Sequence, residues 1–109
     1  MDEAKIAKTE SVFRHVNERI AESAERFDSH EAEFVCECAD QSCTERVEAT
    51  LDEYKSVREH PTHFMLVPGH EDERFERVVR RRPGYRIVEK FNATIARMVR
   101  RLDPRAETS

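Results

Sequence analysis

All three cysteines of the chain lie in one stretch, Phe34-Val-Cys-Glu-Cys-Ala-Asp-Gln-Ser-Cys43, spaced C-x-C-x4-C. In extended backbone the side chains at i and i+2 share a face, so Cys36 and Cys38 project together. The residues Ala39-Asp-Gln-Ser42 are enough for the chain to turn and bring Cys43 back beside them. Uncoordinated, three converging thiols gain little, because a buried thiol is a small hydrophobe with a weak donor. As thiolates around Zn²⁺ they would contribute folding free energy directly. Three sulfurs leave one tetrahedral position, and the chain has five histidines to fill it. His70, in Val67-Pro-Gly-His-Glu71 just past an apolar run, is the first choice, and His63, at the other end of that run, the second. His60 and His30 stand behind them, and His15 belongs to a helix surface.

Other chemistries use the same residues. An iron–sulfur cluster held by three Cys and one His is one, although the cysteine spacing differs from the ferredoxin motifs. Redox thiols and three uncoordinated thiols are the others. A catalytic zinc would need an open position, with Glu71 or Asp40 as the base. Three thiolates lower the metal's Lewis acidity, and the chain has no H-E-x-x-H, no nucleophile elbow and no glycine-rich phosphate loop. Both of its glycines follow a proline. The cluster therefore reads as structural, and the chain as a non-enzyme.

The elements that must position these residues follow from periodicity. Ile6, Phe13, Ile20 and Phe27 recur every seven residues and predict an amphipathic helix over residues 4–27. EFVCEC predicts a short strand, with CTERVEAT as its partner. Thr50 and Glu53 have the form of a capping box opening a short helix that carries Leu51, Tyr54 and Val57 inward and ends before Pro61. His63-Phe-Met-Leu-Val67 predicts a central strand. Phe75 to Arg82 and Tyr85 to Val88 predict a hairpin turning at Pro83-Gly84, the first arm also having helical spacing. Phe91, Ile95, Met98 and Leu102 predict a second amphipathic helix over residues 91–103, capped by Asn92 and stopped by Asp103-Pro104. The sum is an α+β fold: a small antiparallel sheet with a zinc-binding loop, flanked by N- and C-terminal amphipathic helices. Residues 1–109 read as one domain with its zinc-binding core over 33–90.

Charge is unevenly distributed. Residues 1–73 carry 8 basic and 19 acidic side chains, whereas residues 74–109 carry 11 basic and 4 acidic ones. Arg80, Arg81 and Arg82 stand beside Pro83-Gly84-Tyr85, and Arg97, Arg100 and Arg101 lie off the apolar stripe of the last helix. These arginines are candidates for phosphate contacts, with Tyr85 as a stacking platform, or they are an ordinary solvated face. No apolar run is long enough to span a membrane, and MDEAKIAKTE lacks the basic and apolar regions of a signal peptide, so the expected compartment is the cytoplasm. No small-molecule substrate is evident. The expected partners are a protein or a second copy met through the terminal helices, with nucleic acid as the alternative.

FVCECADQSC, EYKSVREHPTHF, LVPGHEDE, ERVVRR and YRIVEKF, in that order, resemble a group of small bacterial proteins that carry a CEC…C segment followed by a PGHE segment. The resemblance covers roughly Phe13 to Phe91. It implies that Cys36, Cys38, Cys43 and His70 correspond to the group's distinctive residues, and it brings no activity with it.

Overall fold

The computed structural model describes residues 2–105. Helix α1 spans Glu3–Arg26, strands β1 and β2 span Glu31–Val35 and Arg46–Thr50, and helix α2 spans Leu51–Val57. Strands β3, β4 and β5 follow at His63–Leu66, Glu76–Arg82 and Tyr85–Lys90, and helix α3 at Ala93–Leu102 closes the order. Each helix starts on a side-chain cap. The Asp2 carboxylate accepts from Lys5 N, Thr50 and Glu53 form the reciprocal capping box of α2, and Asn92 accepts from Ile95 N. At its C-terminus α1 is closed by Asp28 at φ 57°, with Asp28 N donating to Glu25 O and Ser29 N to Ala24 O. That is a Schellman closure, with an aspartate in the left-handed position that glycine usually fills.

The strands form two antiparallel sheets, β1-β2 and β3-β5-β4, which gives an α+β architecture flanked by terminal helices. The Pro83-Gly84 hairpin is present and its first arm is a strand, with a bulge between Val78 and Arg80. EFVCEC does not run as a single strand, because β1 ends at Val35. The extended segment after it changes partner: Cys36 N still donates to Glu45 O at 3.1 Å, but Glu37 N donates to Met65 O at 2.9 Å. The CEC segment thus leaves the first sheet and pairs with the outer edge of β3. This corrects the expectation for β3, which is last in its sheet. Its run is continuously apolar because both its faces are buried, Phe64 and Leu66 in one core cluster and Met65 in the other, and its outer edge is met by Glu37.

The largest departure concerns α1. The heptad stripe Ile6, Phe13 and Ile20 is only half-buried, and Phe27 is 74% exposed. The buried face is instead Ala7, Glu10, Ser11, Arg14, Asn17, Ala21 and Ala24. Its polar members meet the charged groups of other elements. Lys90 Nζ donates to Glu10 Oε2 at 2.7 Å and also to Glu76, and Arg14 binds Glu37 and the His63 carbonyl. The cations stack on the sheet's aromatics, with the Arg14 guanidinium 3.7 Å from the Phe64 ring centroid and Lys90 Nζ 5.0 Å from that of Phe75. Helix α3 runs alongside α1, bonded at one end through Asn92 and Glu3 and beyond its other end through Arg105 and Glu18. The α3 helix buries Ile95, Ala96 and Val99, while Phe91 precedes the helix and is exposed.

Two carboxylates share Lys90, and burial raises the pKa of both, that of Glu10 from 4.5 to about 8. Between those values the folded chain holds a proton at Glu10 that the unfolded chain has lost, so stability falls as pH rises through this window. Glu10→Gln keeps the shape of the protonated acid. It is expected to change stability little near pH 5 and to add about 2–4 kcal/mol above pH 8, read from denaturation midpoints across the pH range. A variant curve parallel to wild type would refute this assignment.

Candidate metal centre

Two turns build the centre. Between Cys38 and Cys43 the chain reverses through an Asx turn: the Asp40 carboxylate accepts from Ser42 N at 2.9 Å, and Cys43 N donates to Asp40 O at 3.0 Å. After β3, Val67-Pro68-Gly69-His70 forms a turn closed by His70 N donating to Val67 O at 3.0 Å. Proline at its second position and glycine at φ 93° at its third are what a type II turn requires. The turn points His70 at the cysteine loop from across the sheet edge.

The Sγ atoms of Cys36, Cys38 and Cys43 and a ring nitrogen of His70 all lie within 4.8 Å of one another. His70 Nδ1 is 3.5 Å from Cys36 Sγ and 3.6 Å from Cys43 Sγ. A tetrahedral Zn²⁺ with ordinary Zn–S and Zn–N bonds sets its sulfur and nitrogen ligands about 3.6 Å apart. The four donors thus lie close enough together to hold one metal ion. Cys36 and Cys38 are buried, Cys43 and His70 half-buried. The other ring nitrogen of His70, Nε2, lies 3.0 Å from Glu45 Oε2, the arrangement in which a carboxylate orients a ligating imidazole.

Backbone amides support all three sulfurs. Val67 N donates to Cys36 Sγ at 3.2 Å, and the amides of Asp40 and Glu45 favour the thiolates of Cys38 and Cys43. For the four donors alone, charge cannot be shared evenly. The hydrogen bond between Cys36 and Cys38 pushes the Cys36 thiol up and holds Cys38 down to about 5, while burial pushes Cys43 up. Hydrogen bonding to Cys38 raises His70. A cation among them removes this competition by stabilising every thiolate at once.

Cys38 and His70 also form part of the wall of an open cleft of about 490 Å³, with Asp40, Glu71 and Arg74 on its rim. His63 does not reach the centre. It stands at the opposite end of β3, its ring 4.3 Å from that of His60 and its Nε2 3.4 Å from Glu89. His15 and His30 are exposed. Arg80, Arg81 and Arg82 are exposed beside the hairpin turn, and Arg97, Arg100 and Arg101 are exposed along α3. Tyr85, expected as a stacking platform beside them, is only 3% exposed and belongs to the core with Phe34, Tyr54 and Ile87.

Glu37 is the residue that the motif reading passed over. It lies between Cys36 and Cys38, points to the opposite side, and is fully buried against α1. Its Oε1 accepts from Arg14 Nη2 at 3.2 Å and Met65 N at 3.0 Å, and its Oε2 accepts from Asn17 Nδ2 at 2.8 Å. The alternation that brings Cys36 and Cys38 together also requires Glu37 to face away, so its direction was available from the motif.

Fold and site together define a small α+β chain built around a Cys3His cluster able to hold a metal ion. No protein family, curated protein or solved structure matches the chain. None of the helices among the described residues is long and apolar enough to cross a membrane.

Proposed function

We propose that the chain is a zinc-binding interaction module, regulatory rather than enzymatic. Cys36, Cys38 and Cys43 hold one structural Zn²⁺ through sulfur and His70 holds it through Nδ1. The observation that carries this reading is the convergence of the four donors within 4.8 Å, two of whose separations, the 3.5 and 3.6 Å from His70 Nδ1 to Cys36 and Cys43 Sγ, match edges of a zinc tetrahedron. Softness of the donors favours Zn²⁺ over the oxygen-seeking divalent ions. Four protein ligands leave no position for a substrate or an activated water, which is why the role is structural. The test is elemental analysis with native mass spectrometry of protein purified without an affinity-tag metal. One zinc per chain is expected, lost in His70→Ala and retained in His63→Ala. Zero metal with three free thiols would reject the reading.

A second reading is binding of nucleic acid through Arg80, Arg81, Arg82, Arg97, Arg100 and Arg101. What favours it is that all six are exposed and, among the described residues, none is ion-paired with a carboxylate. Burial of Tyr85 removes the stacking partner that this reading would use. Binding to unrelated duplexes that weakens steeply with salt would establish it, and no binding at low salt would remove it.

A further inference from the structure

The outer face of α1 carries two adjoining stripes. Thr9, Phe13, Val16, Ile20, Ser23 and Phe27 step by four and three residues along one line of the helix. Beside them Lys5, Lys8, Val12, His15, Arg19 and Arg26 form the second line, interrupted by Glu22. Of the five large hydrophobic residues that stand exposed among the described residues, three are here: Val12 at 61%, Val16 at 40% and Phe27 at 74%. The far side of the apolar stripe is bounded by the fold itself. Near the helix start, an open depression of about 540 Å³ lies between Lys8, Val12 and Phe13 and Gln41 of the cysteine loop. Near its end, another of about 320 Å³ lies between Ile20, Phe27 and Ala32 of β1. The apolar line runs about 27 Å from Thr9 to Phe27 and joins these two open depressions into a shallow, discontinuous groove. Its floor is apolar, Gln41 borders its near end, Ser29, Glu31 and Ala32 border its far end, and its outer lip is cationic.

We infer that this groove receives an amphipathic helix of a partner protein, one with acidic residues along one edge of its apolar stripe. Lys5, Lys8, Arg19 and Arg26 are all exposed and have no carboxylate partner among the described residues, so the lip's charge is free to act on whatever docks. A helix laid into the groove buries its apolar face on Phe13, Val16, Ile20 and Phe27 and turns one edge toward that lip, the mode in which grooves read amphipathic helices. A second copy paired antiparallel fits less well, because that pairing brings two cationic lips together. A bilayer surface fits less well because Phe13 and Ile20 are half-buried against the fold rather than projecting from it. This inference deepens the interaction-module reading and rests on its interaction half, not on the metal.

The test uses the full chain and two labelled synthetic helical peptides with the same leucine stripe, one flanked by glutamate and one by lysine. Fluorescence anisotropy is expected to show saturable binding of the glutamate peptide that weakens with salt. The lysine peptide should bind at least about tenfold more weakly. Val16→Glu, at an exposed position that leaves the fold intact, should reduce the glutamate peptide's affinity by about tenfold without changing the melting temperature or the zinc content. Equal binding of both peptides, no binding, or indifference to Val16→Glu would overturn the inference. So would a concentration-dependent dimer abolished by Val16→Glu, or binding to anionic phosphatidylserine vesicles without binding to the peptide. Zinc measured in the same sample separates the two readings. Failure of the peptide with one zinc per chain overturns the docking site alone, and peptide binding by a metal-free folded chain overturns the metal centre alone.

Discussion

Chelating the zinc proposed at Cys36, Cys38, Cys43 and His70 is expected to abolish the cooperative unfolding transition of this chain. Two segments far apart in sequence meet at the centre: the loop between β1 and β2 supplies three sulfurs and the turn after β3 supplies the imidazole. Structural zinc in small domains contributes an apparent 10–16 kcal/mol near neutral pH, which is about the whole net stability of a domain this size, roughly 5–15 kcal/mol. Without the ion the three thiols compete for charge, and what ties the cysteine loop down is its turn hydrogen bonds, the backbone links of Cys36 and Glu37, the Val67 N bond to Cys36 Sγ and the buried side chain of Glu37. Far-UV circular dichroism during thermal unfolding should show a steep transition that chelator broadens or removes and that added zinc restores. Acid should have the same effect as chelator, because the ligands bind zinc only when deprotonated. Its direction is opposite to that of Glu10, whose burial penalises the fold as pH rises. A melting curve unchanged by chelator would refute the structural role.

The sequence made this centre legible for local reasons. Strand periodicity placed Cys36 and Cys38 together, the four-residue return placed Cys43, and Pro68-Gly69 marked the turn that presents His70. Those are short-range rules that hold whichever sheet the segment joins. Sheet membership was not legible, since nothing in EFVCEC signals that pairing passes from β2 to β3 at Glu37. Likewise, the apolar run of β3 reveals that both its faces are buried without revealing what pairs with its edges.

The buried face of α1 was not legible for a different reason. Hydrophobic periodicity assigns polar residues to solvent, and Glu10, Arg14 and Asn17 are polar. They are buried because their partners, Lys90, Glu76 and Glu37, arrive from strands or segments many residues away. No local pattern encodes a charge pair of that separation. The heptad stripe lies at the edge of the buried face and runs out into solvent at Phe27, so the periodicity shows that α1 is amphipathic without showing which line of it faces the core.

Those buried pairs carry the second large expected effect, at Glu37. Glu37→Ala should destabilise the chain by about 3–5 kcal/mol, because it leaves the Arg14 guanidinium buried with no carboxylate to balance it. Met65 N and Asn17 Nδ2 lose their acceptors in the same step. Glu37→Gln is a sharper probe. Its carbonyl oxygen can still accept from Met65 N, but its amide would face Asn17 Nδ2, donor against donor. Asn17 cannot simply turn over, since its Oδ1 accepts from Val35 N at 2.7 Å. The cost of Glu37→Gln is therefore expected to be smaller, about 1–3 kcal/mol. The double variant Arg14→Met with Glu37→Leu should recover much of the loss of Glu37→Ala, because the isolated charge goes with its partner and apolar side chains fill the space beside Phe64. The comparison is made from urea midpoints at fixed zinc. Additive losses in the double variant would mean that Arg14 and Glu37 act separately. A non-additive recovery would identify Glu37 as the clamp that holds the CEC segment against α1 while its two neighbours face the Cys3His cluster.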